Sequence, residues 1–181
     1  VVEARLSGAM ARGTDVNPLA IRLAKLKSRG VVREDREILL ATARDLERHT
    51  TARRNARAQP SRRYGAEDIQ LFPPHILLEL DGLRDGLDRL NSQALREDLE
   101  LVLSAILTKV STRVGDTTGT TADRRLPGGY VSHLFVRKTE ELVRALAQFE
   151  HRVPARTPPP DLHLDDAKTL GTLGAASVDL V

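Results

Sequence analysis

The stretch Arg12-Gly13-Thr14-Asp15-Val16-Asn17-Pro18 decides how this chain is read. The small and apolar run Gly8-Ala9-Met10-Ala11 leads into it, and a helical pattern leaves it through Leu19, Ile21, Leu23 and Leu26. The pattern is that of a strand, Ala9 to Asp15, that ends in an acid and is followed by a helix opening at Pro18. Proline suits a first helical turn, where its missing N–H would have found no partner. In open α/β sheets, ligands bind outside the carboxyl ends of strands, and an acid placed there often holds a ribose hydroxyl. Asp15 and Asn17 equally suit plain capping of the helix, a role that both residue types fill well.

At 181 residues the chain fits one domain, or one domain with an insertion. It is long enough for a real core, and 40% hydrophobic residues exclude a disordered chain. No run is long enough to span a bilayer, and the opening residues do not read as a signal peptide, so a cytoplasmic chain without a membrane segment is expected. The absence of cysteine excludes disulfides and cysteine metal sites.

The net charge of +3 conceals an uneven distribution. Arg48, Arg53, Arg54, Arg57, Arg62 and Arg63 fall within sixteen residues that contain no acid. Such a local positive field suits phosphate backbones, and it also describes a solvated arm in an arginine-rich chain. Aromatic residues make up 3%, so bases have little to stack on.

Beyond the opening stretch the chain is mostly helical in pattern. Val1 to Leu6 reads as the tail of a helix, and Asn17 to Ser28 as a helix stopped by Gly30. A second long helix runs from Arg33 to about Arg57, broken by Gln59-Pro60-Ser61, and Tyr64 to Leu71 reads as a polar connection. Pro73-Pro74 opens a helix whose face is Ile76, Leu80, Leu83, Leu87 and Leu90, with Gly82 and Gly86 permitting close packing. Leu95, Leu99, Val102, Leu103, Ile106 and Val110 mark the next helix, whose apolar run Leu101 to Leu107 predicts burial on several sides. Ser111 to Gly129 is irregular, with hydroxyls, glycine amides and Arg124-Arg125 suited either to phosphate or to a plain flexible loop. Tyr130 to Phe149 is amphipathic, Val153 to Pro160 is an extended crossing, Asp161 to Asp165 alternates like a strand, and so do Ser177 to Val181.

The two ends, taken together, resemble the S-adenosylmethionine-dependent DNA methyltransferases, the amino-methyltransferases of the Rossmann-like class. Val1 to Ala9 resembles the helix after that family's glycine-rich first motif. Gly13-Thr14-Asp15-Val16-Asn17-Pro18-Leu19-Ala20 resembles its second motif, whose acid binds the cofactor ribose. Asp165-Asp166-Ala167 is similar to its third, usually Gly-Asp-Ala, whose acid reaches the adenine amine; Asp165 stands where the family has glycine. Ser177-Val178-Asp179-Leu180-Val181 resembles the strand leading into the catalytic Ser-Pro-Pro-Tyr-type motif. The middle of the chain, with Lys109-Val110-Ser111 and Gly115-Asp116-Thr117, resembles the insert of a bacterial subgroup of these enzymes.

The resemblance implies an α/β fold: a partial Rossmann-like methyltransferase sheet, interrupted by a large all-helical insertion and helix-dominated overall. It divides the chain into 1–30, a helical insertion at 31–152, and a return at 153–181. It implies an internal fragment lacking the glycine-rich and catalytic motifs, inactive alone, from an enzyme acting on an exocyclic amino group of a base in DNA, or in RNA. The cofactor side would be Asp15, Asn17, Pro18, Asp166 and Ala167. Arg53, Arg54, Arg57, Arg62, Arg63, Thr117, Arg124 and Arg125 would contact the nucleic acid. The other class that fits the sequence is a non-enzymatic helical module that binds nucleic acid or a partner. His75, His133 and His163 lack ligand spacing, so no metal is expected. Glu97, Asp98 and Glu100 read as a charged helix face.

Overall fold

The computed structural model of the chain describes residues 1–113, 125–166, 168–174 and 176–179. The described elements are α1 (Val2–Leu6), β1 (Arg12–Asp15), α2 (Pro18–Ser28), α3 (Arg33–Asn55), α4 (Ala66–Leu71), α5 (Pro74–Asp88), α6 (Gln93–Val110), α7 (Tyr130–Arg152) and β2 (Asp161–Leu164). The fold is helix-dominated α/β, and the described sheet has two parallel strands. Two compact units divide it: Val1–Val32 with Ala145–Val181, and Arg33–Arg144. No helix among the described residues is long and apolar enough to cross a membrane.

The first unit draws on both ends of the chain. β1 pairs in parallel with β2, Arg12 opposite Asp161 and Asp15 opposite Leu164. Asn17 caps α2, its side chain accepting from the Leu19 N–H at 2.9 Å, and Pro18 takes the first helical position. Ala11, Ile21, Leu26, Leu146, Phe149 and Leu162 are buried here. Arg5 is buried with them: its guanidinium lies 5.6 Å from the centre of the Phe149 ring and donates to the Ser28 carbonyl. The ring contact and the one hydrogen bond offset part of the cost of burying this guanidinium, whose Nε has no partner among the described residues.

The second unit is a four-helix core. Leu39, Ala43 and Leu46 of α3 meet Ile76, Leu80, Leu83 and Leu87 of α5, Leu99, Val102, Ile106 and Val110 of α6, and Val131, Leu134 and Phe135 of α7. The three- and four-residue spacing of these positions places each set on one helix face. The crossing of α3 and α5 is close because α5 carries glycine where side chains would collide. A Cβ on Gly82 would lie 3.0 Å from Thr50 Cγ2 and 3.3 Å from Thr50 Cα, and one on Gly86 would lie 2.5 Å from Leu46 Cδ2.

Several expectations are corrected. The Tyr64–Leu71 connection contains α4, whose start is held by the Asp68 carboxylate accepting the Gly65 N–H at 3.1 Å. That carboxylate reaches back across one turn and satisfies a donor the helix itself cannot. β1 begins at Arg12 rather than Ala9. Gly30 does not supply a left-handed stop: α2 ends as Arg29 turns extended, at φ −82° and ψ 148°. Ser177 to Asp179 form no strand; Val178 is exposed, and nothing there pairs the backbone into a ladder. Leu180 and Val181 lie outside the described residues. α6 is buried on one side only, since Leu107 is 37% exposed, while Asp98 is buried rather than on a solvated face.

Helix propensity alone would predict that replacing Gly82 stabilises α5, by up to about 1 kcal/mol for alanine. The Thr50 contact reverses that sign. Gly82→Leu is expected to lower stability by about 2 kcal/mol, read by urea unfolding followed by circular dichroism.

Candidate functional site

In the first unit the carboxyl ends of β1 and β2 bring distant acids together. The Asp165 N–H donates to the Asp15 carbonyl at 3.1 Å, extending the ladder by one step. Asp15 and the Asp165-Asp166 turn are therefore neighbours at the same end of the sheet. The Asp15 carboxylate accepts the Asn17 N–H through Oδ1 at 2.8 Å, and Asp166 accepts the Lys168 N–H through Oδ1 at 2.9 Å. The second oxygen of each has no hydrogen bond among the described residues. Around the acids stand exposed apolar side chains: Val16 at 65%, Leu164 at 58% and Leu19 at 41%.

Asp165 is committed elsewhere. One oxygen accepts the Asp166 N–H at 2.8 Å; the other accepts the Thr172 N–H at 2.8 Å and the Thr172 hydroxyl at 2.7 Å. The Thr172 hydroxyl and amide hold its carboxyl below the usual carboxylate range. It acts as a fastener for the 165–172 turn, which positions Asp166 beside it. Asn17 and Pro18 open α2, as the sequence predicts. Ala167 lies outside the described residues.

These acids suit an adenosine-like ligand. A carboxylate only accepts, so Asp15 at a strand tip can take the hydrogen of a hydroxyl. An adenine amine likewise needs an acceptor, which the second Asp166 oxygen offers.

In the second unit the arginine run is divided. Arg53 donates to Asp81 at 3.0 Å, to Asp85 at 3.3 Å and to the Gln59 carbonyl at 2.9 Å. Arg54 donates to Glu79 at 3.3 Å, and Arg62 to Asp88 at 2.6 Å. Arg57 and Arg63 are exposed and have no side-chain partner among the described residues. Arg125 is exposed; Thr117 and Arg124 lie outside the described residues. Arg48 pairs with Asp45 one turn earlier on its own helix; the described acids that answer Arg53, Arg54 and Arg62 come from α5, and the sequence reading missed them. Glu79, Asp81, Asp85 and Asp88 recur at helical spacing opposite the arginines, the signal that would have found them.

Asp81 has no solvent exposure and receives four donors. They are Arg53, the Ser61 N–H at 2.8 Å, the Ser61 hydroxyl at 2.7 Å and the Tyr64 hydroxyl at 2.8 Å. Burial by itself would raise its pKa; the Ser61, Tyr64 and Arg53 donors outweigh burial and lower it. The Tyr64 phenol is pushed up by burial and by its bond to that carboxylate. Asp85 is lowered against its burial by Arg89, His49 and Arg53. Glu79 is buried too, and its carboxylate accepts the Gly129 and Val131 N–H groups at the start of α7.

Of the five histidines, the three without ligand spacing have other neighbours: His75 bonds the Leu126 carbonyl at 2.9 Å, His133 faces Glu47 at 3.7 Å and His163 faces Asp161 at 2.6 Å. No group of three or more candidate metal ligands occurs among the described residues.

The depressed carboxyls of Asp81 and Asp85 contribute stability above the unfolded aspartate pKa near about 3.9, and it is lost as pH falls through their lower folded values. The raised Tyr64 phenol acts in the opposite direction: its contribution is whole below about 10 and is lost as pH rises beyond that. An ultraviolet alkaline titration is expected to contain a late phenol that Tyr64→Phe removes. Asp81→Ala is expected to lower stability by about 3 kcal/mol at neutral pH, since it strands buried donors.

Comparison of the chain with protein-family models, with curated proteins and with solved structures found no match.

Proposed function

We propose that the first unit holds the adenosine part of S-adenosylmethionine and belongs to a methyltransferase acting on an exocyclic amino group of a base, in DNA before RNA. The observation that carries this reading is the parallel pairing of β1 with β2. It makes Asp15 and Asp166, which the family resemblance assigns to ribose and adenine, neighbours at one sheet end. In the fuller form of the proposal the two strands are part of a Rossmann-like sheet, the helical unit is an insertion into it, and the protein works in the cytoplasm.

Asp15 would accept from the ribose hydroxyls and Asp166 from the adenine amine, with Asn17 and Pro18 fixing the turn between strand and helix. Bound S-adenosylmethionine supplies the methyl group to be transferred. Neither a glycine-rich motif of the Asp-Pro-Phe-x-Gly type nor a Ser-Pro-Pro-Tyr-type motif occurs in the 181 residues, so the proposal is of cofactor contact without turnover by this segment alone.

A second reading draws on the self-contained core of the 33–144 unit. Such a unit could serve as a helical interaction module with no cofactor. Equilibrium dialysis with labelled S-adenosylmethionine separates the two. The methyltransferase reading expects saturable binding that adenosine displaces. Asp15→Ala and Asp166→Ala should each weaken it about tenfold or more, the worth of a hydrogen bond to a charged group. Absence of binding by the folded chain would leave the helical module as the reading.

A further inference from the structure

The C-terminal end of α3, the segment after it, α4 and the start of α5 enclose a cleft of about 750 Å³ within the second unit. That volume lies in the range of sites for small organic ligands. Its walls are mainly apolar: Pro60, Ile69, Phe72, Pro74, Leu77 and Leu78. Ile69 is 59% and Leu78 43% exposed, high for large side chains at a concave surface.

The polar groups of the cleft divide in an informative way. Thr50 donates its hydroxyl to the Leu46 carbonyl, Tyr64 donates to Asp81, and His75 is bonded to Leu126. These neutral groups are already engaged, so few remain to read the edges of a nucleobase. The charged groups differ. Five arginines line the cleft, at 53, 54, 57, 62 and 63, against a single acid, Glu79. Glu79 is buried and occupied by Gly129, Val131 and Arg54. Arg57 and Arg63 are left without a partner among the described residues. The cleft thus joins an apolar wall to uncompensated positive charge at its edge.

We propose that this cleft binds a small amphipathic anion, an apolar chain or ring carrying one carboxylate, with the apolar body against Ile69, Phe72 and Leu78 and the carboxylate on Arg57 and Arg63. Apolar burial supplies the affinity, and the guanidiniums supply the selection for charge. This goes beyond the methyltransferase reading and does not depend on it, since the residues lie outside the first unit.

Isothermal titration of the full chain with dodecanoate below its micellar concentration, and with the uncharged dodecanol, tests the proposal. One-to-one binding is expected, with dodecanoate favoured about tenfold or more over dodecanol, the scale of a charge-assisted hydrogen bond. Arg57 has φ 50°, so the variant is Arg57→Asn with Arg63→Ala, asparagine being tolerant of that backbone. The double variant should lose the preference for dodecanoate and keep its affinity for dodecanol, while its thermal unfolding stays that of the parent. Leu78→Asp, at an exposed site, should weaken both ligands. Equal affinity for the two ligands, or an unchanged preference in the double variant, overturns the proposal. So does displacement of dodecanoate by a short oligothymidylate, which would assign the arginines to nucleic acid. Binding confined to anionic phospholipid vesicles overturns it as well. S-adenosylmethionine binding is read separately, so failure here leaves the first unit's reading standing.

Discussion

The helical unit depends on the way one buried charge is answered. Asp81 sits in α5 with no exposure to water. An isolated carboxylate in such a place is strongly disfavoured, and an ion pair alone seldom recovers the cost. Four donors converge on it instead, and three of them are not on α5's neighbouring core face at all. Ser61 gives two and Tyr64 one, both from the segment that follows α3. That segment carries Pro60 and polar residues and has no helix or strand of its own. The carboxylate therefore fixes the path of irregular backbone, and with it one wall of the cleft. Arg53 ties the same point to the last turns of α3.

The close crossing of α3 and α5 makes this possible. Glycines on α5 let Thr50 and Leu46 approach to contact distance, so the short Asp81 side chain reaches an arginine on the opposing helix. Packing and electrostatics are here one constraint. Dense interiors do not yield gradually, and widening the crossing would leave both an unfilled gap and a stranded charge. Glu79, two residues before, does the equivalent for the start of α7 by receiving two backbone N–H groups that the helix cannot satisfy itself.

Much of this was legible in the sequence, and the rest was not for identifiable reasons. The strand-acid-helix stretch, the Asn17 cap, Pro18 and the amphipathic faces of α3, α5, α6 and α7 are local signals, and the structure carries them at nearly the expected positions. α4 escaped because its start relies on a carboxylate reaching back to a glycine N–H, a weaker signature than a serine or threonine cap. Ser177 to Asp179 alternate like a strand, but alternation does not supply a neighbour, and a strand exists only by pairing. The arginine run carried a plain positive signal; its neutralisation by α5 depends on a helix crossing, which a linear reading does not contain. The pairing of β1 with β2 is non-local in the same sense, although the acids at both tips were visible one by one.

That pairing has a consequence for how the chain acquires its shape. The first unit cannot close until β2 meets β1, and all of Arg33–Arg144 intervenes. Joining two short strands across so long a flexible stretch is a slow search with a meagre reward. The helical unit is contiguous in sequence, and its closely crossed pair, α3 and α5, is separated by far fewer residues than the two strands. Its assembly first would turn a diffuse loop into a compact tether. Topology thus favours the helices forming before the sheet, and the two acids meet only when the strands do.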